Sequence, residues 1–193
     1  MDERERWNAF YASRVNMYID FTDADEPHPF LSDHLALLPR GRALELAMGE
    51  GRNAIFLARQ GFSVTGIDIS AVAVTRSLQL CQKGDVTINA QCVDLRTITL
   101  PAETYDVVAC FYYLQRSLFP QIINSLKPGG MVIYETFTSE QAQYGHPTNP
   151  DHLLYPNELL EAFRDLRIRV YRDVVVVGPK AIASLIGEKV SPP

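Results

Sequence analysis

ALELAMGEGRNAIFLARQG, residues 43–61, is the stretch whose reading decides the fold. Ala43 to Ala47 reads as a first strand. Gly49 and Gly51 follow in a turn, and Asn53 to Gln60 has helical spacing that Gly61 is placed to end. Glycines in a strand-to-helix turn let a ligand approach the backbone and supply φ values other residues resist. The helix start then offers free N–H groups to an anionic part of that ligand.

The same alternation runs outward. Ser63 to Asp68 reads as a second strand, and Ser70 can cap a helix whose apolar positions Ala71, Val74, Leu78 and Cys81 share a face. Val86, Ile88, Ala90 and Cys92 alternate with polar residues, which predicts a half-buried edge strand. Tyr105 to Phe111 reads as a central strand, Gln115 to Leu126 as a helix ending at LKPGG, and Met131 to Phe137 as a fifth strand. Thr138 to Pro156 is polar and rich in turn formers, a length that marks a loop as functional or disordered. Asn157 to Phe163 reads as a helix. Leu166 to Tyr171, Val174 to Val177 and Ala181 to Val190 read as β segments that close as an antiparallel ribbon. Ahead of everything, Trp7, Tyr11, Val15 and Tyr18 recur at helical spacing, and PHPF leads into a short helix with Leu31, Leu35 and Leu38, stopped by Pro39. Strands alternating with helices predict a doubly wound α/β sheet. The expected organisation is one domain over 1–193, residues 1–39 forming a lid segment and 40–193 the catalytic core.

Composition narrows the partners. Of 193 residues, 47% are hydrophobic and 21% charged, enough for a core. With 18 basic residues scattered among 23 acidic ones and a formal charge of −5, neither nucleic acid nor an anionic membrane is an expected partner. MDERERW at the start does not read as a signal peptide, and the apolar run Val107 to Leu114 is too short to span a bilayer. Cys81, Cys92 and Cys110 lack paired spacing and read as buried free thiols of a cytoplasmic protein. Four histidines without HExxH spacing predict no metal site.

Acids end successive strands. Asp68 closes the second, where a carboxylate accepts from two ribose hydroxyls or merely caps the helix after Ser70; Asp94 closes the third, within reach of an adenine amine. Gly49-x-Gly51-x-x-Ala54 with an acid 19 residues on also satisfies a dinucleotide fingerprint. Glu45 in the first strand and Glu50 in the turn oppose a pyrophosphate there, because like charges at that range are costly. They suit a ligand carrying an ammonium.

The succession ELAMGEGRN, TGIDIS, CVDL, YDVVACFYYL, LKPGG and VIYETF resembles the class I S-adenosylmethionine-dependent methyltransferases. GEGRNAIFLARQGFSVTGIDIS is similar to the tellurite-resistance methyltransferases and their small-molecule relatives, with thiopurine methyltransferases more distant. The resemblance implies a seven-stranded Rossmann-like sheet of order 3-2-1-4-5-7-6, its last strand antiparallel, and S-adenosyl-L-methionine as cofactor. It implies that Glu45, Ala47, Gly49 and Gly51 line the methionine end, with Asn53 beside them. Asp68 then takes the ribose, Ile69 packs on adenine, Asp94 and Leu95 hold the adenine edge, and Phe111 lies beside the cofactor. Two departures stand out: Ala47 replaces a usual glycine, tolerable if its backbone is β-like, and Met48 replaces what is often Cys or Ser.

The acceptor expected on this basis is a small soft or anionic nucleophile, a chalcogen oxyanion or a thiol. Arg116, Tyr144 and His146 are its candidate contacts, and no residue stands out as a catalytic base. No NPPY-like tetrad for base or amide nitrogens is present. A nicotinamide or flavin oxidoreductase and a non-catalytic S-adenosylmethionine-binding module remain the alternatives.

Overall fold

A computed structural model describes residues 2–13 and 26–190. Val15 and Tyr18 lie outside the described residues. Chain contacts group into two units, Met1–Leu35 with Arg40–Ile98, and Ala36–Pro39 with Thr99–Pro193.

The first unit holds α1 (Glu3–Ser13), α2 (Pro29–Asp33), β1 (Arg42–Leu46), α3 (Arg52–Arg59), β2 (Ser63–Asp68), α4 (Ala71–Lys83) and β3 (Asn89–Cys92). β1 runs parallel to β2 and β2 to β3, with Leu44 opposite Thr65 and Asp68 opposite Cys92. Ala43 to Leu46 are all buried, the mark of a strand covered on both faces. Gly61 takes φ 86° where α3 ends, and Ser70 Oγ accepts from the Ala73 N–H at 3.2 Å to cap α4.

The buried face of α4 differs from the expected one: it comprises Ala73, Val74, Ser77 and Cys81, leaving Ala71 and Leu78 exposed. A small residue explains the rotation. A Cβ on Gly51 would stand 2.9 Å from Ser77 Cβ, so α4 meets the glycine turn through Ser77, whose hydroxyl donates to Val74 O at 2.8 Å. Hydrophobicity alone points the helix at Leu78; close approach selects Ser77.

The second unit holds β4 (Tyr105–Phe111), α5 (Phe119–Ser125), β5 (Leu126–Phe137), α6 (Glu158–Ala162), β6 (Arg167–Val176) and β7 (Lys180–Glu188). β4 and β5 are parallel, while β7 lies antiparallel to both β5 and β6. The seven strands order as β3-β2-β1-β4-β5-β7-β6. The fold class is therefore the one the sequence implies. Some bounds move. The helix expected over 115–126 is a short turn at Arg116–Leu118 and then α5, whose first turn carries Pro120, a residue suited to that position. Pairing of β5 begins at Leu126 and is irregular through Gly129 at φ 79°, and the two segments before the last strand fuse into β6. Cys81 and Cys110 are buried free thiols, but Cys92 is exposed because β3 covers little of itself. Among the described residues no helix is long and apolar enough to cross a membrane.

Candidate functional site

The turn after β1 is held by its own backbone. Gly49 has φ 57° and Gly51 φ 83°, values only glycine adopts freely. The Gly49 N–H donates to Asp68 Oδ2 at 2.8 Å, and the Gly51 N–H to Met48 O at 3.0 Å. Those amides, which a pyrophosphate would need, are already used. The other Asp68 oxygen accepts from the Ser70 N–H at 2.8 Å. Asp68 thus joins the glycine turn to the start of α4 through one oxygen each, and each oxygen has further acceptor capacity. Burial raises its carboxyl, and the Ser70 and Gly49 amides pull the other way.

Glu45 is 2% exposed, and its Oε1 accepts from Asn53 Nδ2 at 2.8 Å. The Asn53 carbonyl in turn accepts from the His28 N–H at 2.7 Å, so Asn53 bridges β1 to the chain entering α2. Glu45 Oε2 is buried with no hydrogen-bond partner. Burial pushes its carboxyl up to about 7, partly offset by the Asn53 amide. A buried carboxylate oxygen without a donor needs a reason. A ligand ammonium supplies one.

Ala47 corrects an expectation. Its φ is 53°, left-handed rather than β-like, which for an L-residue costs about 1–2 kcal/mol. Glu50 carries Arg76 at 2.7 Å, so its charge in the turn is balanced. Ile69 is half-buried and Leu95 buried. Asp94 is bound by its near neighbour: Arg96 Nε lies 3.0 Å from Oδ1 and Nη2 2.6 Å from Oδ2, holding the carboxyl below the ordinary carboxylate value. Arg96 also reaches Glu3 of α1 at 3.0 Å.

Helix α1 lies over this turn. Asn8 Oδ1 accepts from Ser70 Oγ at 2.8 Å, and a Cβ on Gly49 would stand 2.6 Å from the Tyr11 hydroxyl. Trp7 packs edge-on to Phe10 at 5.4 Å, yet α1 has no fully buried residue.

In the second unit, Phe111 is buried at the end of β4. Arg116 is employed otherwise than as an open anion fork. Its Nε and Nη2 reach Glu158 at 2.6 and 2.9 Å, and it donates to Asp151 O and Leu153 O at 3.3 and 3.0 Å. Its guanidinium also lies 5.3 Å from the Tyr155 ring centroid. The Glu158 hydrogen bonds raise its pKa further. It ties the 138–156 loop to α6. Tyr144 and His146 are exposed, and His146 contributes its carbonyl to Gln141 Nε2 at 3.2 Å.

Residues 43–130 match the family model for a methyltransferase domain. Over that stretch the chain is similar to the class I S-adenosylmethionine-dependent methyltransferases. A ubiquinone biosynthesis O-methyltransferase from Coxiella burnetii is 29% identical over 106 residues, 52% of this chain. The match spans only 45% of that relative's length. The probable S-adenosyl-L-methionine-dependent methyltransferase TehB of Haemophilus influenzae is 22% identical over 89% of this chain and 62% of its own. The crystal structure of TehB superposes with a TM-score of 0.72 at 18% identity, covering 95% of this chain and 67% of that one. A protein solved in work on conversion of a disulfide into a thioacetal during echinomycin biosynthesis reaches 0.75 at 17% identity, covering 98% and 93%.

Three features near the carboxyl ends of the strands escaped sequence reasoning. Met48 fills the space above Gly66, where a Cβ would stand 2.2 Å from its sulfur. Tyr112, just past β4, has φ 55° and stacks on Phe137 with centroids 5.0 Å apart. Thr138 is 4% exposed with an unpartnered Oγ1. Strain and orphaned hydroxyls leave no mark in a sequence. The pairing of Asp94 with Arg96, two residues on, was visible there.

Proposed function

We propose that the protein transfers a methyl group from S-adenosylmethionine to a small acceptor, a soft or anionic nucleophile such as a chalcogen oxyanion or a thiol. The observation that carries this reading is the buried Glu45 oxygen without a donor, beside a turn whose Gly49 and Gly51 amides are already used. That donor set suits an amino-acid ammonium and not a pyrophosphate, which weighs against the oxidoreductase alternative. The family match supports the same cofactor.

When bound, the cofactor supplies a methyl group on a sulfonium, already activated for in-line displacement. The chain's own part is to bind, orient and exclude water. Glu45 takes the ammonium on Oε2 while Asn53 holds Oε1. Asp68, aimed by the Gly49 and Ser70 amides, accepts from the ribose hydroxyls. Ile69 and Leu95 flank the adenine, and Asp94 offers its remaining acceptor capacity to the amine edge. Helix α1, with Tyr11 over Gly49, keeps water from the turn, which is the lid role expected of the N-terminal segment. The nucleophile must then stand about 3–3.5 Å from the methyl carbon, in line with the breaking bond. An acceptor that arrives as an anion needs no general base.

Calorimetry with S-adenosylmethionine and S-adenosylhomocysteine tests the cofactor; a labelled methyl donor with a panel of small acceptors tests turnover. Label in small-molecule fractions supports the proposal. Cofactor binding with no label transferred to any acceptor identifies a binding module instead. Energy transfer from Trp7 to reduced nicotinamide, with no affinity for S-adenosylhomocysteine, overturns the proposal in favour of a dehydrogenase.

A further inference from the structure

The carboxyl ends of the strands are where open α/β sheets receive ligands. At that edge of the second unit the chain gathers Tyr112 after β4, Phe137 at the end of β5, Thr138 after it, and Lys180 at the start of β7. We infer that Lys180, with Tyr112 and Thr138, forms an anion-binding subsite for the methyl acceptor, a reading that rests on the methyl transfer proposed above.

Three observations converge on it. Lys180 is exposed, and among the described residues its one recorded partner is the Tyr112 ring, 5.6 Å from ammonium to centroid. An ammonium resting on an aromatic face without a carboxylate keeps all three N–H donors for an anion. Second, Tyr112 holds a left-handed backbone that a tyrosine rarely adopts, while its N–H donates to Glu135 O at 2.8 Å. That keeps the ring stacked at 23° on Phe137, and strain of this kind gathers at ligand sites. Third, the Thr138 hydroxyl is buried with no partner.

Thr138 is tied to the residue next to Lys180: its N–H donates to Ala181 O at 3.0 Å, and the Ala181 N–H donates to Gln141 Oε1 at 2.9 Å. Hydroxyl and ammonium therefore sit on neighbouring, locked backbone. A small anion recruits the lysine from the tyrosine face and takes a second donor from the threonine. Arg116 is held by Glu158, whereas Lys180 has no carboxylate partner among the described residues.

The test uses the full chain saturated with S-adenosylhomocysteine, so that binding is read without turnover. The probes are 3-mercaptopropionate, selenite and the neutral thiol 2-mercaptoethanol, titrated calorimetrically into wild type, Lys180→Ala, Lys180→Arg and Thr138→Val. Lys180→Ala should weaken both anions about tenfold, as loss of a charge-assisted hydrogen bond does, and leave 2-mercaptoethanol unmoved. Lys180→Arg should retain most of the affinity, and Thr138→Val should lose about threefold. Equal anion affinity in wild type and Lys180→Ala overturns the subsite, as does absence of anion binding to wild type. Failure of wild type to bind S-adenosylhomocysteine overturns the methyl-transfer reading instead, so the two failures are distinguishable.

Discussion

The turn after β1 and the loop after β5 are both irregular chain at the carboxyl end of a strand, and each involves a charged side chain suited to ligand work. They treat it oppositely. Glu45 is bonded on one oxygen and left without a donor on the other, inside the protein. Arg116 uses Nε, Nη1 and Nη2 within the protein, on one carboxylate and two carbonyls. A group kept in reserve is a site; a group fully satisfied is a fastening. The partner decides which, and its distance along the chain decides whether a sequence reveals it. Asn53 is eight residues from Glu45, within the same strand–turn–helix. Glu158 is 42 residues from Arg116.

The contrast breaks first at Asp68. Asp68→Ala strands the Gly49 and Ser70 amides and removes the proposed ribose acceptor, an expected loss of about 3–5 kcal/mol shared between stability and cofactor affinity. Thermal unfolding with and without S-adenosylhomocysteine separates the two. Unchanged cofactor affinity in a folded variant would remove Asp68 from the site.

Glu45 comes next, through pH. Its carboxyl stands near 7 in the folded chain against an ordinary 4.5, so the folded state binds a proton that the unfolded chain has released between those values. The stability this contributes is fully present below pH 4.5 and is lost as pH rises through about 7, at most about 3 kcal/mol. Glu45→Gln should flatten that dependence in the ligand-free protein. At pH 6, meeting an ammonium should expel the proton, visible by calorimetry in buffers of different ionisation enthalpy. An unaltered pH slope in Glu45→Gln would place the titrating group elsewhere.

Arg116→Ala should cost about 1–2 kcal/mol of stability, since the side chain of Arg116 is 38% exposed and solvent screens part of the pair. S-adenosylhomocysteine affinity should hold. A large fall in acceptor kcat at unchanged melting temperature would return Arg116 to the reaction. The smallest effect has the opposite sign: Ala47→Gly relieves a left-handed alanine and should raise stability by about 0.5–1 kcal/mol, after the glycine's extra freedom in the unfolded chain is deducted. A destabilised variant would mean that the alanine methyl packs favourably enough to outweigh the strain.

What a sequence reveals follows from range. The bounds of β2 and β4 were legible residue for residue, because the pattern that marks each strand lies within the strand itself. The glycine turn and its acids were legible for the same reason. The face of α4 was not, since Ser77 is chosen by the close approach of Gly51 and not by hydrophobicity. Nor was the left-handed Ala47, whose dihedral is imposed by the bonds around it.

Met48 and Gly66 carry one more consequence. The sulfur lies where a side chain at position 66 would begin, so the two positions share one space. While methionine stands at 48, a Cβ at 66 requires its thioether to move, and a small residue at 48 removes the conflict. Gly66→Ala alone should prise the turn from β2, whereas the same change made together with Met48→Ser should be accommodated. Across related chains, the two columns should covary, with bulk passing from one to the other and never present in both.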